Sequence, residues 1–237
     1  MDQKEERLVL TVTGGQAREN PDLLAKEWPL TLVVNGREHA TLYASPANLE
    51  ELAVGYAYNQ GLLAAKGDIQ SLMLVASRHQ AVLKLTPMPP TCSGLKCPEK
   101  LVGGIKLSPA QITGLMKDFS SASSLFRETG AVHAAALAGE GILVFREDVA
   151  RHNALDKLAG NLVLEERDPA ALCLLTSGRV SAEVVGKCRR MGIGLLVSRA
   201  APTSLGVAMA EEAGITVVGF AREERFNIYC NPWRVEI

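Results

Sequence analysis

Three short apolar runs at 171–175, 193–197 and 215–219 are separated by stretches with helical spacing at about 180–191 and 204–213. Runs of this length that are apolar throughout, rather than at alternate positions, suit strands covered on both faces. A strand that returns parallel to its predecessor needs a crossover, and a helix is the usual one. The pattern therefore restricts the second half to an α/β sheet with flanking helices. It extends upstream through a helix at about 150–165, strands at 131–137 and 142–145, and a helix opening at Ser108-Pro109. We expect residues 108–237 to form one α/β domain with a mixed or parallel sheet.

Residues 1–107 read differently, so the fold class expected for the whole chain is α/β, or α+β overall. A strand is expected at 8–13. Strands at 30–35 and 37–43 flank Asn35-Gly36, whose residues tolerate the left-handed backbone of a two-residue hairpin. Ser45-Pro46-Ala47-Asn48 then opens a helix, with Leu49, Leu52, Ala53, Tyr56 and Ala57 on one stripe up to Gly61. A second strand pair is expected at 71–76 and 81–85. This smaller strand-rich domain ends in residues 86–98, where four prolines deny both helix and central strand, so the segment reads as a long exposed loop.

Composition removes some functions. With 25 Lys and Arg against 26 Asp and Glu, broad adhesion to nucleic acid or membrane is not expected. The first ten residues are too charged for a secretory signal, and no apolar run approaches membrane-spanning length, so the expected location is cytoplasmic. Five cysteines, an odd number, do not suggest a disulfide framework.

Ligands of such sheets bind at the carboxyl ends of strands, and those exits are polar here. The run 142–145 leads into Asp148, Arg151, His152, Asn153 and Lys157, at the start of a helix. Taken alone, that segment reads first as a capped and solvated helix start, and only the rest of the chain turns it toward an anion site. Thr176-Ser177-Gly178-Arg179, then Ser198-Arg199 with Pro202-Thr203, then Phe220, Arg222 and Arg225 follow the next three strands, and Thr129-Gly130 lead into the strand carrying His133. Hydroxyls, glycine and guanidinium groups at helix N-termini are what phosphate binding requires. Four such exits on one sheet favour a shared anion-binding crevice. His152 shares a stripe with Leu155, Ala159 and Leu162 and is expected to face inward. For both His152 and His133, a hydrogen-bonded structural role remains open beside ligand contact.

Cys92 and Cys97 flank Lys96 in the Pro-rich segment. A thiol beside a lysine gains thiolate character, and a second thiol within reach can resolve a persulfide or disulfide on the first. Half a zinc site and an incidental pair are the rival readings; the zinc reading lacks a second cysteine pair. Cys173 reads as a small core hydrophobe, and Cys188 and Cys230 are placed with it.

The motifs 129–135, 147–157, 177–181 and 201–203 resemble, in order, those of the FdhD family, the formate dehydrogenase accessory sulfurtransferases. Segments 29–36, 51–55, 61–63 and 226–229 extend the resemblance from about residue 28 to the C-terminus. It implies a sulfur carrier. A cysteine desulfurase would load a persulfide on a loop cysteine, and the carrier would pass sulfur to the molybdenum or tungsten bis(guanine dinucleotide) cofactor, a bound client rather than a resident metal. The formate dehydrogenase catalytic subunit would then receive that cofactor. The resemblance also implies a cytidine-deaminase-like sheet in the second half, a crevice for the guanine nucleotide arms, and a homodimer.

This sequence departs from the family at three points. Cys92 and Cys97 are separated by four residues rather than two, and Ala131 and Ala150 replace glycines. A zinc nucleotide deaminase would need His-x-Glu, and none of His39, His79, His133 or His152 has Glu two places on. The remaining alternative is a cofactor chaperone that moves no sulfur.

Overall fold

A computed structural model describes residues 2–86 and 99–237. The small sheet contains β3 (Trp28–Val34), β4 (Arg37–Ala44), β5 (Ile69–Val75) and β6 (Gln80–Leu85) in the order β4-β3-β6-β5. The β3–β4 hairpin turns at Asn35 and Gly36, both with positive φ (49° and 79°), as the Asn-Gly pair predicts. Leu30, Leu32 and Val34 alternate onto one face, join Ala81, Leu83 and Leu85 of β6, and pack against Leu52, Ala53 and Ala57 of α1 (Leu49–Asn59).

Ahead of this sheet, β1 (Lys4–Thr13) and β2 (Gln16–Ala25) form a separate two-stranded ribbon around Gly14-Gly15. The sequence reading anticipates β1 but not β2, whose residues QARENPDLLA are polar and include a proline. Pairing along the whole of β1, rather than an alternating apolar pattern of its own, makes β2 a strand.

The large sheet has the order β12-β11-β10-β9-β7-β8. Its strands are β7 (His133–Ala138), β8 (Ile142–Asp148), β9 (Cys173–Thr176), β10 (Leu195–Ser198), β11 (Thr216–Arg222) and β12 (Arg225–Cys230). The three apolar runs become β9, β10 and β11, and these are parallel, while the outer pairings are antiparallel. The fold is thus a mixed α/β arrangement. Helices α4 (Arg151–Leu164), α5 (Ala182–Met191) and α6 (Ser204–Ala213) cover one face, with Leu174, Leu196 and Val217 beneath them. Helix α2 (Pro109–Ala122), opened by a Ser108–Gln111 capping box, covers the other with Ile112, Leu115, Met116 and Phe119. A short α3 (Ser124–Thr129) follows it.

Residues 99–107, expected at the end of the first domain, pack against the large sheet. The Leu101 N–H donates to Ala213 O, and Leu107 bridges Val235. Buried Arg234 donates to the carbonyls of Leu101, Gly103 and Gly214.

The two sheets are joined where α1 crosses α4. The backbones meet at two glycines: a Cβ on Gly55 would lie 1.7 Å from Asp156 O, and one on Gly160 would lie 1.9 Å from Glu51 O. Only glycine permits that approach. Polar contacts surround the crossing, with Arg146 forked onto Glu51 at 2.5 and 2.6 Å and Asn161 Nδ2 donating to Glu51 Oε1.

Candidate functional site

The exits of the parallel strands are stitched to one another by the backbone. The Arg199 N–H donates to Thr176 O, and the Phe220 N–H donates to Ala200 O. Ser198 Oγ donates to Gly178 O at 2.7 Å and accepts from the Ala200 N–H at 2.9 Å. Beside these exits lies a cavity of about 490 Å³, within the range of small-molecule sites. Gly130, His133, Ser177 and Arg222, all expected ligand contacts, line it together with Ala131, Val149, Arg199 and Ala200. Phe119, Ser120, Ser123 and Phe126 close the other side.

Ser177 anchors the floor. Its N–H donates to Ala134 O, its Oγ accepts from the Ala134 N–H at 3.0 Å, and His133 Nδ1 lies 3.3 Å from the same oxygen. Burial first, and then the Arg151 guanidinium, hold His133 below the usual histidine range. Arg151 packs on Gly178, where an added Cβ would meet its Cδ at 3.2 Å. Arg151 Nε is buried without a partner. His152, on the next residue of α4, lies 3.1 Å from Glu183 Oε1 through Nδ1. That contact is too poorly aligned to be a hydrogen bond, since the atom is otherwise buried and unpaired. Burial lowers the His152 pKa more than Glu183 raises it, and both histidines are therefore neutral near pH 7.

Asp148, Asn153 and Lys157, also expected to contact ligand, are instead buried behind the crevice wall. Asp148 Oδ2 lies 2.6 Å from Lys157 Nζ with both side chains fully enclosed. Asp148 also accepts from the Ser45 and Ala150 N–H groups and from Asn153 Nδ2. Lys157 adds the carbonyls of Ser45 and Glu147. These contacts turn the network inward, because the chain must satisfy charges that burial has removed from water. Ser198, likewise fully buried, braces two strand exits.

Several other expected residues shape the turns. Thr129 Oγ1 donates to Leu125 O and accepts from the Ala131 N–H. Thr203 caps α6 through the Gly206 N–H at 3.1 Å, next to Pro202, which bridges Val180. Arg179 is exposed. Phe220 and Arg225 line a separate depression of about 440 Å³ that shares Arg222 with the crevice. Of the replaced glycines, Ala150 has φ −108°, a backbone any residue adopts, whereas Ala131 lies in the crevice lining.

The α2–α3 wall is absent from the residues expected as contacts, and Arg199 is expected only as part of a polar strand exit. Helix α3 has only six residues, too few to display a period. Arg199 stands within the polar exit that follows β10, and its position next to buried Ser198 is the signal that could have selected it. Cys92 and Cys97 lie outside the described residues. Cys173, Cys188 and Cys230 are buried. Burial pushes the Cys173 thiol up to about 12 and raises the other two as well.

Fold and site together define a class: mixed α/β proteins with a cationic crevice across the carboxyl ends of a parallel strand trio. Comparison with known proteins narrows it. A profile described as the FdhD/NarQ family matches residues 25–236. The chain is 37% identical to the sulfur carrier protein FdhD of Halalkalibacterium halodurans, covering 97% of this chain and 94% of that one. It is 36% identical to the protein of the same name from Staphylococcus haemolyticus, covering 94% and 93%. A crystal structure from Desulfotalea psychrophila, described as that of a candidate formate dehydrogenase accessory protein, superposes with a TM-score of 0.89 at 27% identity, covering 99% of this chain and all of that one. The chain belongs to the FdhD/NarQ family. Among the described residues no helix is long and apolar enough to cross a membrane.

Proposed function

We propose that this protein is a sulfur carrier for formate dehydrogenase maturation, holding a molybdenum or tungsten bis(guanine dinucleotide) client by a nucleotide arm in the crevice. The observation that carries the reading is the crevice itself: Arg199, whose guanidinium has no acceptor among the described residues, and Arg222 stand with Ser177 and His133 around a space of small-molecule size. Guanidinium groups at strand exits suit the oxygens of a diphosphate.

The sulfur chemistry falls to Cys92 or Cys97. Cys173 and Cys188 are enclosed in the core, and all three described thiols have raised pKa values, so their thiolate content near pH 7 is small. The acceptor thiolate attacks the terminal sulfur of a cysteine desulfurase persulfide; that S–S bond breaks and the desulfurase thiolate leaves. If the second loop thiolate then attacks the inner sulfur, an internal disulfide forms and the outer sulfur leaves as hydrosulfide, a two-electron reduction balanced by the disulfide. The crevice residues hold the client while this occurs, which makes transfer effectively intramolecular. A homodimer and a cytoplasmic location complete the reading.

Intact mass after incubation with a cysteine desulfurase and cysteine, followed by peptide mapping, tests it. A reductant-labile gain of one sulfur on Cys92 or Cys97 is expected. No gain, with a family member loading in parallel, removes the carrier chemistry and leaves a cofactor chaperone.

A further inference from the structure

The β1–β2 ribbon leaves an apolar strip in water. Its strands pair without a bulge from Lys4 opposite Ala25 to Thr13 opposite Gln16, and Gly14 and Gly15 close the turn at positive φ. Residues directly opposite share a face, so Leu8, Leu10 and Val12 lie together with Pro21 and Ala17. Those three aliphatic side chains are 70%, 66% and 63% exposed. A two-stranded ribbon is marginal in water unless one of its faces is packed. Its base is nonetheless fixed, because Lys4 pairs with Glu128 of α3 and the Lys26 N–H donates to Gln3 O.

The small sheet has a face in the same condition. Helix α1 covers the side that carries Leu30, Leu32 and Val34. On the opposite side Val33, Val82 and Met73 stand in register across β3, β6 and β5, and Tyr43 of β4 stands opposite Pro29. Met73 is 56% and Tyr43 60% exposed, and Val33 and Val82 are partly exposed. One chain thus carries a protruding apolar strip and a flat apolar sheet face, and the exposures show that the first does not lie on the second.

Area decides between two ways of covering the strip with a second copy. At about 3.3 Å per residue and about 10 Å for two strands, one ribbon face measures about 330 Å². Two ribbons stacked on each other would bury about 660 Å² in total, the size of an incidental contact. Each ribbon laid on the other chain's sheet buries about twice as much, about 1300 Å², which reaches the range of specific dimers. The sheet has room for it. Four strands of six to eight residues span about 19 by 23 Å, a diagonal of about 30 Å for a ribbon of about 33 Å.

We propose that the β1–β2 ribbon is an exchanged dimerisation arm: in a two-fold dimer, the Leu8–Leu10–Val12 strip of each chain lies on the uncovered face of the other chain's four-stranded sheet. The inference rests on the homodimer reading and adds to it the surface and the exchange. Reciprocal exchange of an identical element is a low-cost route to a dimer. Lys26 and Glu27, between β2 and β3, are its hinge.

Sedimentation velocity of the full chain tests it, with wild type, Leu10→Glu, Met73→Glu and an equimolar mixture of the two variants. Both positions are exposed, so both variants should fold, and far-ultraviolet circular dichroism checks that they do. The wild type should be a dimer. Each variant alone should dimerise at least about a hundredfold more weakly, because its dimer holds two unpaired carboxylates in apolar contacts. The mixture should form dimers at concentrations where neither variant alone does, since the intact arm of the Met73→Glu chain meets the intact sheet of the Leu10→Glu chain. Loss of the dimer in only one of the two variants, or a mixture no more dimeric than its components, overturns the exchange. A dimer indifferent to both substitutions overturns the arm and leaves the homodimer reading intact. A wild type that is monomeric at every concentration overturns the homodimer reading and the arm with it.

Discussion

Replacing Asp148 by Asn should be among the most destabilising isosteric changes available to this chain, with a cost that depends on pH in a particular direction. Asp148 and Lys157 are fully enclosed with Nζ and Oδ2 2.6 Å apart. The variant has one amide oxygen, which can serve either the Ser45 N–H on the Oδ2 side or the Ala150 N–H and Asn153 Nδ2 on the Oδ1 side but not both, and it leaves the Lys157 ammonium with no carboxylate, only the carbonyls of Ser45 and Glu147. Breaking a buried pair from one side costs about 3–5 kcal/mol. An independent ceiling comes from deprotonation: an ordinary lysine titrates near pH ~10.4, so neutralising it at pH ~7.5 costs about 4 kcal/mol. The two figures agree. For a protein of this size each kcal/mol lowers the melting temperature by about 2–4 °C, giving a drop of roughly 6–20 °C.

The sign follows from proton counts. In the variant, burial without a counter-charge lowers the folded-state pKa of Lys157 further below its unfolded value. Between those two values the unfolded chain binds more protons, so stability rises with pH there. The deficit relative to wild type should therefore shrink by up to about 1.4 kcal/mol per pH unit as pH climbs from neutrality toward 10. Denaturant melts at pH 7, 8 and 9 measure it. A deficit below about 1 kcal/mol at pH 7, or one that does not change with pH, would refute the claim that an uncompensated buried ammonium is its source. Lys157→Met should cost less than Lys157→Ala, because methionine fills the volume while Asp148 retains three N–H donors. Combining Asp148→Asn with Lys157→Met should cost less than the sum of the single changes.

Gly55→Ala and Gly160→Ala each put a methyl within 2 Å of a backbone carbonyl oxygen of the facing helix, so each should cost more than about 3 kcal/mol by thermal melts. Gly186→Ala, on α5 with nothing within 4 Å of the added carbon, should be neutral or stabilising by up to about 1 kcal/mol; equal losses at all three sites would sink the helix-crossing argument. His133 and His152 both have folded-state pKa values below 6.5. Their contribution to stability is present above pH 6.5 and is lost as pH falls through the depressed values. His133 lines the crevice, so an anion bound there favours its protonated ring, and pyrophosphate should bind tighter at pH 5.5 than at pH 7.5. Titrations of wild type and His133→Gln/His152→Gln check this, and an equal pH dependence in both proteins would exclude the histidines as its origin.

The parts of the fold legible in the sequence are those in which local chemistry and tertiary demand coincide. Asn35-Gly36 specifies its turn whatever surrounds it, and the apolar runs that became β9, β10 and β11 can be satisfied only by cover on both faces. Strand β2 was not legible, because a polar ten-residue segment acquires its extended form from its partner. Helix α3 was too short to show a period, and with it the wall carrying Phe126 was missed.

Residue type also cannot separate a ligand-binding charge from one that braces the fold. Asp148, Arg151, Asn153 and Lys157 occur within ten positions and suit an anion site equally well on paper. What divides them is the small sheet. The corner after β4 inserts fully buried Ser45 against the end of β8, where its N–H meets Asp148, its Oγ accepts from the Val149 N–H, and its carbonyl meets Lys157. That insertion draws Asp148, Asn153 and Lys157 into the interior. Val149 remains on the crevice wall and Arg151 rests beside His133, with its Nε unpaired. The small sheet therefore does more than cover one side of α4, because it fixes the segment that forms one wall of the crevice. Ser45→Ala, distant in sequence from every crevice residue, should weaken anion binding while leaving the Arg199 and Arg222 side untouched.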